Sequence, residues 1–453
     1  MKQFILLLCL SLFIGKLTAQ NPMLQKVYNT ALLEGRAYDD LKSLCKDIGP
    51  RLTGSAEAEM AIRWSKMKME SYDFDTVYLQ KIQVPHWERG NRESAWLSLP
   101  NGSIIKLNVL ALGGSIGTSG LMEGELICFN SLEELRKASK QEIKNKIVFI
   151  NQAMDASQIN TFIAYGGCYP IRNNSASEAA KLGAKAVIIR SLGLSEDNHP
   201  HTGSMHYEEG VRQIPAAAVS TADAERIYKL VKAGESVSLS LELDCRSYPD
   251  TTSYNVIGEL HGKVSPNNII TVGGHLDSWD TGEGAHDDGA GIIHSMEALR
   301  ILKTNNYTPK NTIRVVFFMN EENGNRGGIE YAKQSKLKNE KHIAALESDR
   351  GGFSPKGFSC DGTPSQITLL QSFKTEFLEY DLHVFEKGYG GVDIGPLKDL
   401  FPSIPLFGFV PDSQRYFDIH HAPSDVFENV NKRELELGAA AISSLLYLLD
   451  QNL

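Results

Sequence analysis

The spacing of apolar positions changes from helical to strand-like over the first part of the chain. Apolar residues recur every three or four positions over 23–44, and Gly49 and Pro50 then end that stretch. Ser55 stands where a helix N-cap is expected. Runs with the character of strands follow at 76–84 and 95–112. We therefore predict a helical opening followed by strands.

The middle of the chain has a different texture. Short apolar runs alternate there with a helical pattern between about residues 120 and 245. The runs are at 125–129, 146–150, 186–189 and 215–219, and the helical pattern is at 175–182. The flanking stretches share one character, so we predict a small domain over 120–245 inserted into a larger one formed by 20–119 and 246–453.

After residue 254 the pattern repeats strand and helix in turn. The strand-like runs are at 268–274, 312–319 and 343–346, with helical patterns at 290–303 and 327–337. A strand–helix–strand order is typical of a parallel sheet in an α/β domain. A final apolar helix is predicted to begin at Asn431, with Glu434 three residues on, as in a capping box.

Composition limits the classes of function. The chain has 453 residues, of which 42 % are hydrophobic, and a net charge of −9, so it shows no basic surplus that would attract nucleic acid. Residues 1–19 have the pattern of a cleaved signal peptide, which predicts a secreted or periplasmic protein. No later segment has the 18 or so apolar residues of a membrane span. Five scattered cysteines remain after cleavage, and their spacing indicates no pairing.

Each of the three strand-like runs after residue 254 ends in residues that can bind a metal. They are His275 and Asp277 after the first run, Glu321 and Glu322 after the second, and Glu347 and Asp349 after the third, with Asp287 and Asp288 opening the next helix. The carboxyl ends of parallel strands meet at one edge of a sheet, where ligands of α/β proteins gather. We therefore expect these side chains to converge.

Histidine and carboxylate ligands suit zinc first, with manganese or cobalt as substitutes. Two metals can share one carboxylate, so five protein ligands suffice for a pair. Glu321 and Glu322 are adjacent, and in extended backbone their side chains point apart. One of them can therefore bind a metal while the other acts as general base on a water.

Several ordered motifs resemble the co-catalytic dizinc aminopeptidase family over nearly the whole mature chain. They are GPRLTGS at 49–55, VPHWERG at 84–90, GHLDSWD at 274–280, DDG at 287–289, EE at 321–322, ESD at 347–349 and HH at 420–421. The resemblance implies a mostly parallel mixed sheet with helices on both faces, and it implies that the inserted segment is a protease-associated-like domain covering the site.

The resemblance also implies roles for individual residues. His275 and Asp349 would hold one zinc, Glu322 and His421 would hold the other, and Asp287 would bridge the two. Glu321 would be the general base, and Asp277 would orient the ring of His275. His421 is preferred to His420 because the family places this ligand four residues before an acid, here Asp425.

The expected activity is hydrolysis of dipeptides and other short peptides with a free amino terminus. Two alternatives stay open: a glutaminyl cyclase-like enzyme with a single zinc, and a binding protein of the same fold without catalysis. The chain departs from the nearest family members at His286, Arg350 and residues 422–424, so we expect His286 and Arg350 to change the charge of the substrate pocket. A homodimer is among the oligomeric states left open.

Overall fold

The computed structural model describes residues 21–453, and the predicted signal peptide at 1–19 lies outside them. Within this range the chain forms two eight-stranded sheets with helices packed around them. The strands are β1 (Thr76–Glu88), β2 (Glu93–Ser98), β3 (Ile104–Leu107), β4 (Val109–Ala111), β5 (Met122–Phe129), β6 (Ile147–Ile150), β7 (Ala186–Arg190), β8 (Ala216–Val219), β9 (Ser238–Leu243), β10 (Arg246–Leu260), β11 (Ser265–His275), β12 (Asn311–Phe318), β13 (Lys341–Glu347), β14 (Pro355–Asp361), β15 (Val384–Lys387) and β16 (Leu406–Pro411). The helices are α1 (Pro22–Glu34), α2 (Ala37–Asp47), α3 (Ala56–Ser71), α4 (Leu132–Lys137), α5 (Lys140–Ile143), α6 (Thr161–Lys181), α7 (Thr221–Lys232), α8 (Ala290–Thr304), α9 (Arg326–Leu337), α10 (Pro364–Ser372), α11 (Lys374–Phe377), α12 (Gly395–Leu400) and α13 (Lys432–Asn452).

The first sheet has the strand order β1-β10-β12-β11-β13-β16-β14-β15. Its four central strands, β12, β11, β13 and β16, run parallel to one another. Both β10 and β14 pair antiparallel with the central strands, and β1 pairs antiparallel with β10. Strands β11, β12 and β13 are the three predicted runs, and helices α8 and α9 connect them. The prediction of a mostly parallel mixed sheet is confirmed.

Helices cover both faces of this sheet because neighbouring strand residues point to opposite sides. In β12, Val315 belongs to a core shared with Leu299 of α8. The next residue, Val316, belongs to a separate core with Tyr331 of α9 and Leu397 of α12. The predicted two-sided helical covering is therefore confirmed.

The predicted helix starts have local causes. The Ser55 side chain accepts a hydrogen bond from the backbone N–H of Ala58 and caps α3. Asn431 accepts from the backbone N–H of Glu434 and caps α13. The Glu434 carboxylate does not return that bond but accepts one from the Ser354 hydroxyl at 2.7 Å. Half of the predicted capping box is therefore replaced by a tertiary contact.

The second sheet has the order β3-β2-β9-β5-β6-β7-β8-β4, and all its strands lie within residues 93–243. The strands that flank it in sequence, β1 and β10, are hydrogen-bonded neighbours in the first sheet. The chain therefore leaves and re-enters the first sheet at adjacent strands. The second sheet also includes β2, β3 and β4, which lie before residue 120, where we placed the start of the insertion. Local patterns do not reveal this membership, because β2 pairs with β9 and β4 pairs with β8 across more than a hundred residues.

No helix within residues 21–453 combines the length and the apolar content that crossing a bilayer requires. The five cysteines in this range are unpaired. Burial raises the pKa of the Cys45 thiol to about 12, which keeps it protonated and unreactive at neutral pH. Four of the five cysteines in the described range are buried, and none of the five forms a disulfide there.

Candidate metal centre

Residues from distant parts of the chain meet at the carboxyl edge of the first sheet. His275 ends β11, Glu321 and Glu322 follow β12, Asp349 follows β13, Asp287 lies in the turn before α8, and His421 lies between β16 and α13. These are the five predicted ligands and the predicted base, and all of them line one cavity except His275, which lies against Asp287 and Asp349.

One cluster is formed by His275, Asp287 and Asp349. The Nε2 atom of His275 lies 3.2 Å from Asp287 Oδ1 and 3.5 Å from Asp349 Oδ1. His275 is 1 % exposed. Asp349 Oδ1 is buried and accepts no hydrogen bond. One ring nitrogen and two carboxylate oxygens thus converge as metal ligands do.

A second cluster shares Asp287 with the first. The Nε2 atom of His421 lies 3.2 Å from Asp287 Oδ2 and 3.1 Å from Glu322 Oε2. Asp287 Oδ2 is buried and has no hydrogen-bond partner of good geometry. The two oxygens of Asp287 therefore face different histidines, which is the arrangement that a bridging carboxylate needs.

His420 is the alternative to His421, and both rings lie near Asp287. The Nε2 atom of His420 is 3.6 Å from Asp287 Oδ2. Its ring stacks on that of His421 with centroids 3.5 Å apart, and it packs edge-on against Tyr165 at 5.1 Å. Of the two histidines, His421 faces Glu322 as well as Asp287. Both histidines could hold a cation together with Asp287, and the additional contact with Glu322 favours His421 as the ligand.

The site concentrates buried negative charge. Burial and the neighbouring Asp287 raise the pKa of Glu322 to about 7. Burial alone would lower the pKa of His421, but the facing Glu322 and Asp287 raise it to about 9. Burial, together with nearby Asp349, raises the pKa of Glu321 well above its usual range. Carboxylates crowded in this way repel one another unless cations offset their charge.

Asp277 does not hold His275 through its carboxylate. Its backbone carbonyl lies 2.9 Å from His275 Nδ1, whereas its carboxylate Oδ1 is 3.9 Å away. Oδ1 instead accepts hydrogen bonds from the backbone N–H groups of Asn320 at 2.7 Å and Glu321 at 3.1 Å. Oδ2 lies 3.3 Å from the N–H of Glu322. The structure thus gives the orienting role to the carbonyl, and the carboxylate fixes the turn after β12.

Two further carboxylates that we did not assign support the backbone of the site. Asp425 accepts hydrogen bonds from the N–H groups of His286 at 2.8 Å and Asp287 at 3.1 Å. Asp288 accepts one from the N–H of His275 at 3.1 Å. In the sequence, Asp425 served only to indicate that His421 rather than His420 is the ligand, because it stands four residues after His421. Its contacts show that it fixes the turn that carries Asp287.

Arg51 lies in the motif at 49–55 and connects that motif to the site. Its guanidinium is fully buried and donates to the carbonyls of Leu276 at 2.6 Å, Glu283 at 2.7 Å and Gly284 at 2.9 Å. These carbonyls belong to the loop between His275 and α8. Arg51 therefore shapes the loop and contacts none of the predicted ligands.

His286 and Arg350, which we expected to change the charge of the pocket, lie in different surroundings. His286 is 1 % exposed, stacks on Phe353 with centroids 4.3 Å apart, and accepts the N–H of Gly352 at its Nδ1 atom. Burial lowers the pKa of His286 to about 4, so it is neutral, and it does not line the cavity. The expectation for His286 was wrong because the side chain turns into the core. Arg350 does line the cavity.

The cavity has a volume of about 440 Å³ and is lined by residues from the segments that connect the strands of both sheets. The first sheet and its connections contribute the candidate ligands other than His275, together with Glu347, Arg350 and Tyr389. The segment of the second sheet contributes Phe162, Tyr165, Tyr169 and Arg172, all on α6, and Ser204. The sequence had marked none of these residues of the second segment, because α6 carries no ligand motif.

Comparison with known proteins identifies the class. Residues 255–446 match the model of peptidase family M28. Carboxypeptidase Q from Bos taurus is 33 % identical over 93 % of this chain and 86 % of its own length, and that from Homo sapiens is 32 % identical over the same shares. The chain therefore belongs to peptidase family M28. The predictions of a metallo-exopeptidase and of its family resemblance are confirmed.

Solved structures agree with this assignment. A peptidase M28 precursor from Shewanella amazonensis superposes with a TM-score of 0.89 and 34 % identity, covering 94 % of this chain and 96 % of that one. A zinc aminopeptidase from Bacillus subtilis superposes with a TM-score of 0.63 over 91 % of this chain and 94 % of that one. At 20 % identity the latter shows a shared fold.

Proposed function

We propose that this chain is a two-zinc exopeptidase. His275 and Asp349 would hold one zinc, Glu322 and His421 would hold the other, and Asp287 would offer one oxygen to each. The observation that carries the proposal is the division of Asp287, whose two oxygens face His275 and His421 at 3.2 Å each. The donor set of imidazole and carboxylate suits zinc. A single-zinc cyclase would leave one of these two clusters without a use.

The fit of the site to cations rests on its orphaned atoms. Asp287 Oδ2 and Asp349 Oδ1 are buried oxygens without hydrogen-bond partners, and a buried carboxylate oxygen in that state is costly. Each lies within 3.5 Å of a histidine ring nitrogen. Bound cations supply the missing partner for every one of these atoms.

Zinc held by these residues would supply Lewis acidity toward a peptide carbonyl and a water. Glu321 is the general base: its carboxylate takes a proton from the attacking water and delivers it to the departing amine. Asp277 fixes the backbone of Glu321 and so positions that carboxylate.

The substrates proposed are dipeptides and other very short peptides with a free amino terminus. Glu347 is a carboxylate beyond those assigned to the metals and the base, and it lines the cavity. Negative charge of this kind attracts an α-ammonium group. Side chains of α6 line this cavity of about 440 Å³, and a cavity of that size favours short chains over folded proteins.

The segment that carries the second sheet forms a protease-associated-like module, which we place at residues 93–243 in accordance with its strands. Phe353, Tyr416 and Phe417 of the first domain share a buried core with Cys168 and Ile171 of α6. This apolar contact holds the module against the entrance of the site. We also propose a secreted or periplasmic location, which sequencing of the mature amino terminus checks. A homodimer is proposed as well, and light scattering checks it.

The test uses the purified mature protein, stripped with a chelator and reloaded with zinc. An unblocked dipeptide is compared with its N-acetyl form. We expect activity only with zinc, and at least tenfold faster hydrolysis of the unblocked form. Faster hydrolysis of the N-acetyl form would replace the proposal by a carboxypeptidase. Absence of zinc-dependent hydrolysis of any peptide would support the non-catalytic alternative.

A further inference from the structure

Arg172 of α6 is a buried cation beside the candidate metal centre. It is 4 % exposed and lines the cavity. Its Nη1 atom lies 3.2 Å from His421 Nδ1 and 3.3 Å from the Thr202 carbonyl. A Cβ at Gly203 would lie 2.4 Å from Arg172 Cζ, so only glycine leaves room there for the guanidinium. The module thus delivers a positive charge to the edge of the site.

This guanidinium lacks a carboxylate partner among residues 21–453. It donates to the Tyr165 hydroxyl at 2.6 Å and lies over the rings of Tyr165 and Tyr169, while its Nε atom has no hydrogen-bond partner. Arg314, which is also buried, pairs with Glu259 at 2.7 Å and with Glu340 at 2.8 Å. Arg89 pairs with Asp280 at 2.7 Å. An incompletely satisfied buried cation in a substrate cavity indicates an anionic ligand group.

We propose that Arg172 binds the C-terminal α-carboxylate of the substrate and thereby selects dipeptides. This inference rests on the proposed function of the same site. Arginine suits the role because its planar N–H groups match a carboxylate. The positive charge comes from the inserted module, which therefore contributes to substrate recognition as well as covering the cavity.

The position of Arg172 sets the length of the substrate. Only the imidazole ring of His421 separates its Nη1 atom from Nε2, the atom that faces Glu322 and Asp287. One residue of extended chain spans about 3.3–3.6 Å. A carboxylate one residue beyond the scissile bond is therefore within reach of Arg172, and each added residue moves it farther away by that length.

Arg350 is the other arginine of the cavity and provides the matched comparison. Its Nη2 atom lies 3.4 Å from the Tyr389 carbonyl, and its guanidinium covers the ring of Phe162 at 5.3 Å. Asp349 and Glu347 are its strongest anionic neighbours. These carboxylates repel a substrate carboxylate, so the wall that carries Arg350 suits an ammonium group better.

The experiment compares the wild type with Arg172→Met and Arg350→Met, all loaded with zinc. For each protein, kcat/KM is measured for an unblocked dipeptide and for its C-amide. We expect Arg172→Met to reduce the ratio of dipeptide to amide about ten- to hundredfold, the scale of hydrogen bonds to a charged group. In Arg350→Met this ratio stays as in the wild type. Arg172→Lys, which keeps one charged donor, retains part of it.

A binding measurement separates this inference from the proposed function. Calorimetry of the dipeptide and its amide is carried out on Glu321→Gln with and without Arg172→Met. Arg172 is expected to favour the dipeptide there even if no turnover occurs. An equal loss of affinity for the dipeptide and for the amide would show that Arg172 only supports His421. A lower ratio of dipeptide to amide hydrolysis in Arg350→Met would assign the carboxylate subsite to Arg350. Either result overturns the inference.

Discussion

The Asp277 carboxylate accepts a hydrogen bond from the backbone N–H of Glu321, with 3.1 Å between the two atoms. This bond links the end of β11 to the turn after β12. The same oxygen accepts the N–H of Asn320, whose φ of 78° is a left-handed conformation that asparagine tolerates. The proposed general base, Glu321, and the proposed ligand beside it, Glu322, therefore take their positions from one buried carboxylate.

Asp277→Asn is expected to lower kcat about 10- to 100-fold, the usual scale for groups that position ligands. The amide presents N–H groups where the backbone donors of the turn need an acceptor. Zinc content and kcat are measured together. Thr53→Val is the control, since it removes only the hydroxyl that donates to Asp277 Oδ2 at 2.9 Å. If the two variants behave alike, the carboxylate does not hold the turn.

Glu321→Gln and Glu322→Gln are expected to separate base from ligand. Glu321→Gln keeps both zincs and loses about 10²–10⁴ in kcat, because the amide cannot accept the proton. Glu322→Gln instead weakens zinc on the side of His421, since its Oε2 faces that ring at 3.1 Å. Metal analysis and turnover are recorded for both. Two zincs and normal turnover in both variants would refute the assignment.

The mature protein is expected to bind two zinc ions per chain, and activity is lost to a chelator and restored by zinc. His421→Ala reduces the stoichiometry toward one, because it removes a ring nitrogen that lies close to both Asp287 and Glu322. His420→Ala keeps two zincs, since its ring acts by packing. One zinc at full activity would contradict the shared role of Asp287.

His294 is expected to make the fold sensitive to acid. Burial lowers its pKa from 6.5 to about 3. Because the unfolded chain takes up this proton first as the pH falls, the native state loses stability below about pH 6.5. Between pH 7 and pH 5 the loss amounts to about 2 kcal/mol. The native state is free of this loss of stability only at pH values above the ordinary pKa of histidine.

Chemical denaturation of the wild type and of His294→Asn at both pH values measures this effect. Asparagine keeps a polar atom near the Ser348 hydroxyl, which lies 3.2 Å from His294 Nδ1. The decrease in unfolding free energy should be smaller in His294→Asn by about 2 kcal/mol. Identical decreases would show that the pKa of His294 does not differ between the folded and unfolded states in the way that its burial implies.

The sequence alone determined the sheet and the candidates for the metal centre. Periods of two and 3.6 residues are local properties, so β11, β12 and β13 and the helices between them were predictable. The carboxyl ends of parallel strands share one edge, which made the convergence of His275, Glu322 and Asp349 predictable as well. The choice of His421 over His420 rested on the family resemblance, and the structure adds the contact with Glu322.

The tertiary structure alone decided what depends on contacts between distant residues. Strands β2 and β4 join the second sheet through partners more than a hundred positions away, so residue 120 does not begin that sheet. His286 turns into the core, and the Asp277 carboxylate turns to the backbone of Glu321. Arg172 meets His421 across 249 positions. No spacing in the sequence encodes such pairs, because only the packing of the module against the first sheet brings them together.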